Sequence, residues 1–258
     1  MVDAVNQRTT SNTLIISAEE VRENFLFGVD LTDDNGNEMS NRLIEFYIRS
    51  AQSWLEKKIP GVSLCPKQVV EWHDYRLGDY ISYNFIKLFR YPLISVEDVS
   101  IQFPMSENIL SFDPSWYRAE SVGSQINLFP TQGTFSSIVL SQGGSYIPLV
   151  YSGIEYVPHM MRVTYTAGFK RGEIDPQLKD IIGMKASMGP LNIAGDLIAG
   201  AGVASKSISL DGLSQTVSTT SSATNSGYGA RIGQYEKQIK DSLIGLQNYY
   251  TGLQMVVS

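Results

Sequence analysis

Hydrophobic periodicity predicts an α+β fold: a helical core made of an N-terminal helix pair and C-terminal helices, interrupted by an antiparallel β domain. Three observations carry this. Apolar residues recur at steps of three and four before about residue 65 and again after 175, and at steps of two between Pro66 and Gly168. Turn signals rich in Gly and Ser, such as Ser141-Gln-Gly-Gly-Ser145, fill the middle block and are sparse in the first. Past residue 205, an alternating stretch, a Ser/Thr-rich run and a long helical stripe follow one another, predicting an extended hairpin, a linker and a long helix. The predicted division is 1–65 for the N-terminal helical part, 66–170 for the inserted β domain, 171–204 for returning helices and 205–258 for an extended C-terminal arm.

Ser17-Ala-Glu-Glu20 spells a capping box and opens a short helix with Val21 and Phe25 on one face. The acidic turn "DLTDDNGNE" reads as capping the next helix. Counting from Asp30 puts Asn35 where a calcium-binding loop needs glycine, so that motif is not formed. The second helix carries Leu43, Ile44, Tyr47, Ile48, Ala51, Trp54 and Leu55 inward and stops at Ile59-Pro60-Gly61.

In the β block, Val99, Ile101 and Phe103 alternate with Asp98, Ser100 and Gln102. Met161, Val163 and Tyr165 alternate with Arg162, Thr164 and Thr166. Helix resumes at Asp175-Pro176, with Asp as cap and Pro at the first turn. Leu178, Ile181 and Ile182 face inward, Gly189-Pro190 is expected to break the run, and a second small-residue helix reaches about Ala199.

Asp211-Gly212 is a two-residue hairpin signal that pairs Leu210 with Leu213 and Ser209 with Ser214. One face of that hairpin carries Ile208, Leu210, Leu213, Gln215 and Val217. Ser207, Ser209, Ser214 and Thr216 lie on the other. The last helix has a stripe of Tyr228, Ile232, Tyr235, Ile239, Leu243, Leu246, Tyr250 and Leu253. At 1.5 Å per residue it would be roughly 40 Å long, so part of the stripe is expected to pack on another chain. Removing residues 205–258 is then expected to leave a folded protein that has lost a partner.

Charge and composition exclude several functions. A net charge of −6 gives no general nucleic-acid-binding surface. Cys65 is the only cysteine, which rules out an intrachain disulfide and a cysteine-based metal site. The N-terminal residues lack the pattern of a secretory leader, and "LNIAGDLIAGAGVA" is too short to span a bilayer, so neither export nor a membrane is expected. His73 sits in a strand-like run and His159 in a loop, both read as structural. Gly212-Leu-Ser214-Gln-Thr216 ends in Thr where a nucleophile elbow needs Gly. Gly200-Ala-Gly202 lacks the preceding strand and the third glycine of a dinucleotide loop. No cofactor and no metal is implied. Trp72, Trp116 and Tyr117 could form a sugar-binding platform, which keeps a carbohydrate-binding module or a glycoside hydrolase as alternatives.

The stretch "SAEEVRENFLFGVDLTDDNGNEMSNRLIEFYIRSAQSWLEKKI" resembles the opening helix pair of tailed-bacteriophage head-to-tail connector proteins, also called neck adaptors. "RYPLISVEDVSIQF", "FDPSWYRAE", "QINLFP" and "MRVTYTAGF" resemble the strands of members with a β insertion, and "IDPQLKDIIGMKAS" is similar to the helix that follows. The likeness spans most of residues 17 to 188.

The resemblance implies a non-enzymatic virion protein of the phage neck, assembled in the host cytoplasm into a ring, typically a dodecamer. Such a ring joins the portal vertex of the DNA-filled head to the tail or a further neck protein. Genomic DNA would pass through its channel without sequence-specific binding. On this reading Ile208, Leu210, Leu213, Val217, Tyr228, Arg231, Ile232, Tyr235, Ile239 and Leu243 are the expected portal-binding or neighbour interface. A tail terminator or other neck ring is the alternative within the same class.

Overall fold

In a computed structural model, the described residues are 13–33, 35–76, 85–102, 108–121, 123–128, 155–170, 172–199, 205–210, 213–218 and 228–251. The fold is α+β. The chain divides into two compact units: a β unit spanning Gly61–Glu173, and a helical unit made of Thr13–Pro60 together with Ile174–Gly252.

The helical unit begins with α1 (Ala18–Phe25). Its capping box is complete: the Glu20 N–H donates to Ser17 Oγ at 3.1 Å, and the Ser17 N–H donates to Glu20 Oε2 at 2.8 Å. The acidic turn does not cap the next helix, which corrects the sequence reading. It closes on itself instead, with Asp33 accepting from the N–H groups of Asn35 and Asn37. Ser40 is the cap of α2 (Asn41–Lys58), which buries Ile44, Ile48, Ala51, Gln52 and Leu55.

Helix α3 (Pro176–Ala199) starts as expected, with Asp175 Oδ1 accepting from the Gln177 N–H at 2.9 Å. It does not break at Gly189-Pro190. Pro190 removes only the bond to the Ala186 carbonyl, and α3 is buried on several sides through Leu178, Ile181, Ile182, Ala186, Leu191 and Ala194. Packing on that scale outweighs the roughly 3 kcal/mol an internal proline costs. The glycines of α3 are where its neighbours come closest. A Cβ on Gly183 would lie 2.2 Å from Phe25 Cε2 of α1, and one on Gly189 would lie 2.3 Å from Tyr47 Cε1 of α2. Both rings therefore rest on the α3 backbone.

The β unit holds β1 (Lys67–Arg76), β2 (Phe85–Lys87), β3 (Leu93–Gln102), β4 (Asn108–Ser111), β5 (Tyr117–Glu120), β6 (Gln125–Leu128) and β7 (Tyr156–Ala167). A four-stranded antiparallel sheet has the order β1-β7-β3-β4 and a three-stranded sheet the order β2-β6-β5. Val99, Ile101, Met161, Val163 and Tyr165 from the first sheet and Ile86, Ile126 and Leu128 from the second belong to one core. Period-two alternation fails at the C-terminal end of β3, where Ser100 and Gln102 are buried along with Val99 and Ile101.

Strands β8 (Ser205–Leu210) and β9 (Leu213–Ser218) pair in the register that the Asp211-Gly212 signal predicts, Leu210 opposite Leu213 and Ser209 opposite Ser214. The turn itself lies outside the described residues. The last helix, α4 (Gly229–Thr251), has 23 residues, about 35 Å at the α-helical rise.

Gly183→Ala and Gly189→Ala should each lower stability by about 1–3 kcal/mol, the range for overpacking a close-packed contact. Urea denaturation followed by helical circular dichroism checks this, with Gly233→Ala as control, because Gly233 faces open space. That control should be neutral or slightly stabilising.

Candidate interaction surfaces

Helix α4 is the element from which most of the expected interface residues come, and its stripe is spent largely within its own chain. Ile232, Ile239 and Leu246, at steps of seven, are buried in the helical unit. Ile232 and Ile239 are two of the residues expected at a neighbour interface. Burying each such side chain contributes about 1.5–3 kcal/mol.

The polar residues of α4 act on the ends of the other helices. The Tyr235 hydroxyl donates to the Phe25 carbonyl at 3.0 Å, and Arg231 Nη1 donates to the Phe27 carbonyl at 3.3 Å. Arg231 Nε also donates to the Tyr235 hydroxyl at 3.1 Å, which ties the pair together. Further along, Gln247 Nε2 donates to the Lys58 carbonyl at 2.7 Å, at the end of α2. Helix ends leave carbonyls without intrahelical partners, and a cation there also meets the negative end of the macrodipole. Helix α4 supplies donors to two of those ends. Leu243 lies half-buried on the same helix, and Tyr228 half-buried just before its start.

Several large apolar side chains of the helical unit also face outward. Phe27, just beyond α1, is 80% exposed, Phe46 on α2 is 60% exposed, and Ile244 and Tyr249 on α4 are also exposed. Large apolar groups held in water by an ordered scaffold mark interaction surfaces more often than isolated small ones do. In the hairpin Leu210 pairs with Leu213, Ile208 with Gln215 and Lys206 with Val217.

The three aromatics of the expected sugar platform lie on different segments of the β unit. Trp72 stands opposite Arg162 on the four-stranded sheet, whereas Tyr117 is on the three-stranded sheet and packs against the core. Trp116 belongs to a short 3₁₀ turn, Pro114–Trp116.

Both histidines are built into the framework. His159 has φ +52 in a bulge of β7, where its N–H donates to Asp74 Oδ1 at 3.0 Å and Tyr156 donates to Oδ2 at 2.8 Å. These bonds, the His159 N–H foremost, hold the Asp74 carboxyl below its usual range. The His73 ring lies 3.2 Å from Glu71 Oε2 and stacks on Phe89 with centroids 5.0 Å apart.

Glu71 is a buried carboxylate that periodicity did not single out. It accepts from the Phe89 N–H at 3.0 Å and from the Tyr165 hydroxyl, while Tyr165 accepts from the Arg90 N–H at 3.0 Å. Burial first and the Glu71 carboxylate second push the Tyr165 phenol well above its usual range. Among the described residues no group of three or more His, Cys, Asp or Glu could hold a metal ion, and no helix is long and apolar enough to cross a membrane.

No protein-family model and no curated protein sequence matches the chain. Among solved structures it is similar to a chain in the neck of a native GTA particle computed with C12 symmetry, at 13% identity and TM-score 0.35, covering 56% of this chain and 68% of that one. It is also similar to a chain in the neck of an empty GTA particle computed with C6 symmetry, at 12% identity and TM-score 0.35, covering 67% and 77%. A third likeness is to a chain of the virion of a native gene transfer agent particle, at 12% identity and TM-score 0.38, with the same coverage. Identities and TM-scores this low leave the functional reading to the chain's own residues.

Tyr235→Phe should cost about 0.5–1.5 kcal/mol, the net worth of a typical hydrogen bond, and should speed amide exchange at the end of α1. Tyr165 gives a second expectation. Its phenol is raised in the folded state, so its contribution is complete below the ordinary tyrosine value of 10.0 and is lost as pH climbs above it. Thermal melts between pH 8 and about 11 should show an alkaline decline that Tyr165→Phe reduces.

Proposed function

We propose that this chain is a structural, non-enzymatic virion protein that forms a ring in the neck of a tailed phage or phage-like particle, joining the portal vertex of the head to the tail. The observation that carries the reading is the order of the segments: a capped short helix, an acidic turn, a longer helix, an antiparallel β insertion, and a helix opening at Asp175-Pro176. Each stands in the order of the connector resemblance, and the helical segments on either side of the insertion belong to one compact unit.

The exposed Phe27, Phe46, Ile244 and Tyr249 give each copy apolar surface to bury against another. In a closed ring those contacts are heterologous, so different surfaces of successive copies meet. The net charge of −6 suits a channel that DNA passes through without sticking.

Hairpin β8–β9 is the proposed portal-facing element. A two-stranded hairpin is marginal in water, so the face holding Ile208, Leu210, Leu213 and Val217 gains by being covered. Tyr228, Arg231, Tyr235 and Leu243 act in this picture through α4, which holds the helical unit in shape.

Electron microscopy of the purified chain mixed with portal protein should show a ring seated on the portal. Ile208→Asp with Leu213→Asp should abolish that density while leaving helical circular dichroism unchanged. Binding to tail tubes and not to portal would identify a tail terminator instead.

A further inference from the structure

Segment Leu88–Pro92 of the β unit is held at every backbone N–H it has. The Leu88 N–H donates to the Ser124 carbonyl at 3.0 Å and the Tyr91 N–H to the Gly61 carbonyl at 3.0 Å. The Tyr91 carbonyl accepts from the Ser63 N–H at 2.9 Å, and the Pro92 carbonyl from the Gly168 N–H at 2.8 Å. Between them, the N–H groups of Phe89 and Arg90 are held by the buried side chains Glu71 and Tyr165. Gly61 has φ +91, and a Cβ there would meet Tyr91 Cε1 at 2.4 Å, so the support admits only glycine.

The residue at the centre of this brace is nevertheless turned outward. Phe89 is 64% exposed, with His73 stacked on its ring. Beside it, the Arg90 guanidinium makes no ion pair among the described residues. An exposed phenylalanine adds little to folding. An aromatic next to an arginine, both carried on a backbone fixed before any encounter, has the composition and the reduced ordering cost of an association anchor.

We propose that Phe89 and Arg90 form an anchor through which one copy of this chain docks on the next copy, the ring packing on the half-buried Tyr117 and the guanidinium meeting the carboxylates beside it. The inference rests on the ring reading and names one of its interfaces. A second copy is the occupant that charge favours. The chain carries 26 acidic residues against 20 basic ones. In this same unit Asp98, Asp113 and Glu97 lie close enough to Tyr117 to add to the upward shift that burial imposes on its phenol. Tyr117 is half-buried against the core, so each copy presents an aromatic surface rimmed by negative charge. A head-to-tail contact between unlike surfaces generates a closed ring.

The test is sedimentation velocity of the full chain, alone and with portal protein, for the wild type, Phe89→Ala, Arg90→Glu and the control Val70→Ala, an exposed residue of the same unit. Phe89→Ala and Arg90→Glu should each raise the concentration of half-assembly at least about ten-fold, the effect of losing a hot spot. Val70→Ala should leave it unchanged, and Asp113→Lys should partly restore Arg90→Glu. Glu71→Gln should speed amide exchange at Phe89 and Arg90 and weaken assembly in a folded protein, a readout that an unbraced loop would not give. A wild type that never associates, with or without portal, would overturn the ring reading and this inference together. Wild-type rings that Phe89→Ala and Arg90→Glu form equally well would overturn this inference alone. Intact chain-to-chain assembly with lost portal binding would do the same, by assigning the anchor to the portal.

Discussion

The helical unit depends on two places in α3 that have no side chain. At Gly183 and Gly189 the rings of Phe25 and Tyr47 occupy the space a Cβ would need, so α1 and α2 approach the α3 backbone itself. Close-packed interiors tolerate little extra volume, which makes these contacts positional constraints as well as attractive ones. Once α1 and α2 are set against α3, their C-terminal carbonyls lie within reach of a fourth helix. Arg231, Tyr235 and Gln247 of α4 then supply the donors those carbonyls lack. The order of dependence runs from missing side chains, to helix positions, to capped helix ends.

The β unit solves a related problem with a buried charge. A carboxylate out of water is costly unless hydrogen bonds surround it, and Glu71 accepts from β7 and from the Leu88–Pro92 segment, with the His73 ring of its own strand 3.2 Å away. Because the donors come from separate stretches of chain, satisfying the charge also fixes those stretches relative to one another. Asp74 does the same on a smaller scale for the bulge of β7.

Features written in short windows were legible in the sequence. The Ser17–Glu20 box, the Asp175-Pro176 start and the Asp211-Gly212 register depend on residues within a few positions of each other, and the structure forms them as read. Features decided by distant partners were misread. Pro190 breaks a helix only if packing does not compensate, and nothing local to Gly189-Pro190 reveals that α3 is buried on several sides. The stripe of α4 is equally consistent with covering a neighbour or its own chain, because periodicity gives a face and no address. Glu71 lay in an alternating strand where an inward acid looks like a solvated one, and only its partners 18 and 94 residues away disclose its burial. A shift of an acidic residue onto the inward phase of β1 was the one available signal.

The two units place their exposed aromatics alike. Phe27 projects from a stretch whose carbonyl is held by Arg231, and Phe89 from a segment held by Glu71 and Tyr165. Mobile apolar side chains on loose loops gain little from binding, since association must first order them. Here that ordering is completed during folding, by interactions the fold already requires. The same hydrogen bonds that close a helix end or satisfy a buried carboxylate therefore also fix the backbone from which an exposed ring projects, which lowers the ordering cost of assembly.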